Sequence, residues 1–210
     1  MNMTKIRFSI LRCWQCTSRF IHYSKVLQRE HGTKKQEKTL EKLFIVVNQF
    51  LSELDVDYWI ADGTLLGYYR DHRIIPNDYD VDFGLHEKEF SKVWQARKKL
   101  PPGFAMYDTS FRHRGPKLYI CYQSLDVDLY FYEEKNESLR SYVISTNPRE
   151  MAAFPKDFIY PIQQAIFYGQ PTYIPNQTEQ YLRHYYHYLG RNAVQDKKSG
   201  YWYPQSPKKQ

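Results

Sequence analysis

The chain has 210 residues, 42% hydrophobic and 17% aromatic with 20 tyrosines, and a formal charge of +7 at pH 7. That length suits one domain with a full hydrophobic core, or such a domain with a helical appendage. The 3 cysteines exclude a closed disulfide framework by their odd count, and the lone pair Cys13 and Cys16 lacks the further ligands a structural zinc needs.

The positive charge fits a nucleic acid, a membrane surface or an anionic small substrate. The basic residues gather at the two ends and around Arg97-Lys-Lys99 and Arg112-His-Arg114. Such a spread is a diffuse field suited to phosphate-bearing substrates, or simply a solvated surface.

Residues 1–37 read as a basic arm, flexible or a peripheral helix, in which Ile6, Ile10, Trp14 and Ile21 could share one face. The arm has too many charges to span a bilayer and lacks the clean apolar core of a secretory signal. His31 to Lys38 read as a polar hinge. From Lys38 to Leu54 the residues Leu40, Leu43, Phe44, Val47, Phe50, Leu51 and Leu54 follow helical spacing and predict an amphipathic core helix. Tyr58-Trp-Ile60 predicts a short strand, and Asp62-Gly-Thr-Leu-Leu-Gly67 a tight turn opening a helix through Arg70. A helix over Glu87 to Leu100 is stopped by Pro101-Pro-Gly103. Strands follow at Lys117 to Tyr122 and Leu125 to Tyr132, then a strand pair near Ala165 to Ile174 and a Tyr-rich helix from Gln177 to Leu189. Residues 38–195 are expected to form the folded domain, and residues 196–210 a mobile tail.

Two Asp pairs carry the chemistry. Asp80-Val-Asp82 and Asp126-Val-Asp128 each sit in a run that alternates apolar and polar residues, the period of a strand. Side chains two apart share a face, so each pair projects together. On neighbouring strands three or four carboxylates would converge, an arrangement that cannot stay fully ionised without a cation, ordinarily Mg²⁺. Asp80 and Asp82 are the first two candidate ligands; alternation does not choose between Asp126 and Asp128 for the third. Gly63 and Thr64 stand at a helix start, where N–H groups favour phosphate, and Arg70 either holds phosphate or pairs with Asp78 or another acid. Asn77-Asp78 is also good turn chemistry. His184 and His187 lie three apart with no third ligand, so they read as packing residues.

These residues resemble the LicD/fukutin family: Ala61-Asp-Gly-Thr-Leu-Leu-Gly67, Arg70, Ile75-Pro-Asn-Asp-Tyr-Asp-Val-Asp-Phe83 and Leu125-Asp-Val-Asp-Leu-Tyr130, with Ile174-Pro-Asn176 and Tyr181-Leu182 similar to its closing element. The resemblance covers residues 40 to 192, closer to the eukaryotic fukutin-related members. It departs at Asn77, where the family has Trp, and in lacking the anchor and preceding domain of the eukaryotic proteins. It implies an α/β (α+β) nucleotidyltransferase-like fold, a mixed β-sheet flanked by helices, and transfer of a phospho-alcohol (phosphocholine, ribitol phosphate or similar) from a CDP-activated donor to a glycan hydroxyl. By the family alignment Asp80, Asp82 and Asp128 are the catalytic carboxylates that hold Mg²⁺ or Mn²⁺, with Asp78 beside them, and Asp128 is the first candidate to take the acceptor's proton. Gly63 and Thr64 would meet the donor diphosphate, and Arg70 would bind phosphate or brace the loop.

Two other readings stay open: transfer of a nucleoside monophosphate to a small molecule, protein or RNA, and a silent sugar- or nucleotide-binding protein of the same fold. Nucleic acid is not the expected partner, since no aromatic-plus-basic stacking motif is present. Peripheral membrane contact through the arm stays open. The default location is cytoplasmic, with Golgi or endoplasmic-reticulum association implied only by the resemblance; the sequons at Asn136 and Asn176 matter only in a secretory lumen.

Overall fold

The computed structural model describes residues 34–145 and 147–205. The basic arm up to residue 33, with Cys13 and Cys16, lies outside the described residues.

Helix α1 (Lys34–Glu53) buries Leu40, Leu43, Phe44, Val47, Phe50 and Leu51 along one stripe, as the apolar spacing dictates. Residues 34–38, expected as part of a hinge, are instead helical. Strand β1 (Tyr58–Ile60) leads into α2 (Asp62–Asp71), which is followed by a loop and β2 (Asp80–His86). The segment after β2 is a short α3 (Phe90–Gln95) flanked by 3-10 turns at Glu87–Glu89 and Ala96–Lys99, where one continuous helix was expected. Then come β3 (Ala105–Asp108), β4 (Lys117–Tyr122), β5 (Leu125–Lys135), β6 (Ser138–Ser141) and β7 (Phe154–Pro155). The small hairpin β8 (Gln163–Phe167) and β9 (Gln170–Ile174) precedes α4 (Thr178–Tyr186).

The main sheet runs β1-β2-β5-β4-β3, with β6 joined to β5 and β7 to β6. It is mixed: β2 and β5 are parallel, whereas β1 pairs β2 and β4 pairs β5 antiparallel. Parallel neighbours need a crossover, here supplied by α3, β3 and β4. Helix α1 packs over β2, β5 and β9, and α2 lies against β2 and α4. With both faces covered, β2 buries its five interior residues, as central strands do. Phe44 links the layers, stacking on Phe83 at 5.7 Å and meeting Phe167 edge-on at 4.8 Å.

Strands β3, β6 and β7 and a hairpin near the C-terminal end escaped sequence reading. Strand β3 has no buried face, only half-buried residues, so its alternation is weak. The segment from Lys197, expected as a mobile tail, carries β11 (Trp202–Pro204), paired antiparallel with β10 (Ala193–Gln195). His184 packs edge-on against Phe154 and Tyr185, whereas His187 faces Tyr201 and Tyr203. The two histidines thus diverge into separate packing sites.

Gly67 closes the Gly-Thr-Leu-Leu-Gly run for a packing reason. A Cβ there would overlap the Arg73 carbonyl and sit 3.0 Å from the Ile75 nitrogen, so only glycine lets the loop toward β2 pass over α2. Gly67→Ala should lower stability by roughly 1–3 kcal/mol through overpacking; an unchanged urea midpoint would contradict this account of the loop.

Candidate metal centre

In the parallel pair Asp80 lies beside Asp126 and Asp82 beside Asp128. One oxygen from each of Asp80, Asp82 and Asp128 lies within 4.8 Å of the others. Of the two acids that alternation leaves open, Asp128 joins the trio, and Asp126 is buried next to Asp80. A trio of carboxylate oxygens so spaced can surround one hard cation.

Thr64 fixes the middle ligand. Its Oγ1 accepts from the Asp82 N–H at 2.8 Å, and its own N–H donates to Asp82 Oδ2 at 3.3 Å. Thr64 is wholly buried. It clamps Asp82, and the helix start points its dipole at that carboxylate. Gly63 leaves room for the acids: a Cβ there would lie 3.1 Å from Asp78 Oδ2 and 3.4 Å from Asp82 Oδ2.

The electrostatics are strained by proximity. Burial, then the charges of Asp128 and Asp78, push the Asp80 carboxyl well above the usual carboxylate range. Burial followed by Asp80 and Asp62 does the same to Asp82. Burial also raises Asp78, against the hydrogen bond its Oδ1 accepts from the Tyr79 N–H at 3.0 Å. Burial and mutual repulsion favour the protonated form of these acids, and a bound cation would favour the ionised form.

Two participants were missed from the sequence. Lys117, only 4% exposed, places Nζ 2.6 Å from Asp128 Oδ1. Its signal was the alternation Lys117, Tyr119, Cys121, which sets it on a patterned strand face. Asp62, read only as part of the turn before α2, has φ 41° and accepts from the Tyr181 hydroxyl at 3.3 Å, which in turn meets Tyr132 at 3.2 Å. Burial, then the charge of Glu150, raise its carboxyl to about 7.

Arg70 binds backbone carbonyls rather than an acid. Its Nε donates to the Leu189 carbonyl at 2.6 Å and its Nη2 to Gly190 at 2.9 Å. It braces the turn after α4, not the loop before β2. That turn walls a cleft of about 470 Å³ opening beside the acids, lined by Gly63, Asp78, Tyr79, Tyr186, Arg191 and Trp202 among others. Arg191 also pairs with Asp71.

The raised acids give a signed pH response. Below the ordinary carboxylate value both folded and unfolded chains are protonated. Between that value and about 7 the folded chain, through Asp62 and more strongly through Asp80 and Asp82, binds more protons than the unfolded one. Stability without metal therefore falls as pH rises through that window. Thermal melts between pH 5 and 8 should show Tm falling without metal and a Mn²⁺-induced rise in Tm that grows with pH. A Mn²⁺ shift independent of pH would contradict this linkage.

Residues 55–177, more than half of the 210-residue chain, match the family model LicD/FKTN/FKRP, nucleotidyltransferase domain. An uncharacterised protein of Rickettsia typhi is 26% identical over 163 residues, 74% of this chain and 49% of that protein. Human ribitol-5-phosphate transferase FKTN is 23% identical over 154 residues, 69% of this chain and 32% of FKTN. Human ribitol 5-phosphate transferase FKRP is 28% identical over 139 residues, 63% of this chain and 28% of FKRP. The matched stretch thus spans about half the length of the first relative and about a third or less of the other two. Among solved structures, ANT(2″)-Ia in complex with adenylyl-2″-tobramycin overlays with a TM-score of 0.47 at 14% identity, covering 65% of this chain and 69% of that one. The lincosamide antibiotic adenylyltransferase LnuA overlays at 0.41 and 14%, covering 72% and 85%. The matched stretch holds α2, the loop before β2 and both Asp strands, and on it the chain belongs to the LicD/FKTN/FKRP family.

Proposed function

We propose that the protein is a metal-dependent transferase that moves a phospho-alcohol from a CDP-activated donor to a glycan hydroxyl, with ribitol phosphate favoured over phosphocholine by the names of its relatives. The observation that carries this reading is the Asp80, Asp82 and Asp128 trio set beside a cleft of nucleotide size. Two arginines and four aromatic rings line that cleft, a lining that suits the phosphates and the base of a nucleotide.

Mg²⁺ or Mn²⁺ on the trio, with Asp78 at its flank, would neutralise the donor diphosphate and the departing CMP. Thr64 orients Asp82 for that duty, and Gly63 lets the donor approach the acids. The acceptor oxygen forms a bond to the phosphorus of the transferred group as that phosphorus parts from the CMP oxygen, in line. The acceptor's proton passes to Asp62. Burial first raises the Asp62 carboxyl to about 7, the range suited to a general base, while Asp128, the earlier candidate, is engaged by the Lys117 ammonium. Positioning and charge neutralisation supply most of the acceleration.

The test is CMP release from CDP-ribitol, CDP-choline and related donors, with Mn²⁺ and a mixture of glycan acceptors. Metal-dependent release is expected, reduced about 10²–10³-fold or more in Asp82→Ala, the scale of losing a key electrostatic group. Transfer of a nucleoside monophosphate would instead liberate pyrophosphate from a nucleoside triphosphate. Nucleotide binding without turnover on any donor would favour the silent reading.

A further inference from the structure

Lys117 brings a fixed positive charge into a centre otherwise made of acids. Its Nζ lies 2.6 Å from Asp128 Oδ1 on one side and 3.5 Å from the centre of the Tyr130 ring on another. The backbone at this point is pinned: the Lys117 carbonyl accepts from the Thr109 N–H at 2.9 Å, and the Lys117 N–H donates to Ser110 Oγ at 3.1 Å. A long, flexible side chain is thereby held in one place, out of solvent. A buried ammonium persists only when paired, and this one is paired with a member of the trio.

That contact limits what else can enter. Sites with two metals set them about 3.5–4 Å apart, with carboxylates bridging or capping both. Asp128 Oδ1 is already occupied by the ammonium, and a second dication there would stand against a buried like charge.

We propose that Lys117 holds the place of a second metal, so that the centre takes a single divalent cation. The ammonium positions Asp128 toward that ion and presents fixed positive charge to the phosphoryl group. Its action on phosphate rests on the transferase reading; the metal count does not.

The experiment is a count of bound Mn²⁺ on the full chain, by the electron paramagnetic resonance signal of the free ion, for wild type, Lys117→Met and Lys117→Arg. The expected result is one ion for wild type and Lys117→Arg and two for Lys117→Met. If Lys117→Met does not fold, Lys117→Gln, which still donates a hydrogen bond to Asp128, is expected to take two ions in its place. Two ions in wild type, or one ion in every neutral variant, would overturn the proposal while leaving CMP release intact. No bound Mn²⁺ in wild type would overturn it together with the metal-dependent transferase reading.

Discussion

The parallel, in-register pairing of β2 with β5 is the constraint on which the rest depends. It alone sets Asp82 beside Asp128, and a slip of one residue would send one pair of acids to the opposite face of the sheet. The surrounding fold reads as the means of keeping that register. Both strands are buried, β1 and β4 pair along their outer edges, and the crossover is made of short, tightly turned elements. Thr64 then adds a second lock by bonding both the Asp82 backbone and its carboxylate.

Such an arrangement opposes its own stability without a cation. Burial and mutual repulsion disfavour charge on Asp80 and Asp82, so the fold holds acids that would be easier to leave in water. Proteins tolerate this at functional sites and compensate elsewhere. The compensation here is a dense aromatic interior, including Trp59, Phe44, Phe83, Phe131 and Tyr181, all buried, together with the resident charge of Lys117. The centre thus groups acids that a cation would relieve, and in the proposed reading the donor nucleotide reaches that cation through the cleft beside it.

Much of this was legible in the chain itself. The Asp strands announced themselves by period-two alternation, and α1 by its apolar stripe, because each is a local pattern imposed by a single packed face. What was not legible depends on distance in the chain. Arg70 reads as a phosphate ligand, a partner of an acid or a brace for the loop, and the Leu189 and Gly190 carbonyls that take its donors lie more than a hundred residues on. Thr64 reads as a phosphate contact, and its bond to Asp82 shows only when β2 is brought beside it. Asp62 shows no partner until Tyr181 arrives from α4. Lys117 opens a strand whose other inward residues are apolar or aromatic, and a lysine at a strand end ordinarily reaches water. The β10–β11 hairpin was hidden by its Lys- and Pro-rich neighbourhood, a composition typical of mobile tails.

The central claim is that Asp80, Asp82 and Asp128 together hold a catalytic divalent cation. Its most direct test is a crystal grown with Mn²⁺ and CDP, read for anomalous scattering at the manganese edge. The account predicts a single strong peak within coordination distance of oxygens from all three carboxylates, with the CDP phosphates reaching it from the cleft. An empty trio in crystals where CDP is bound would contradict it.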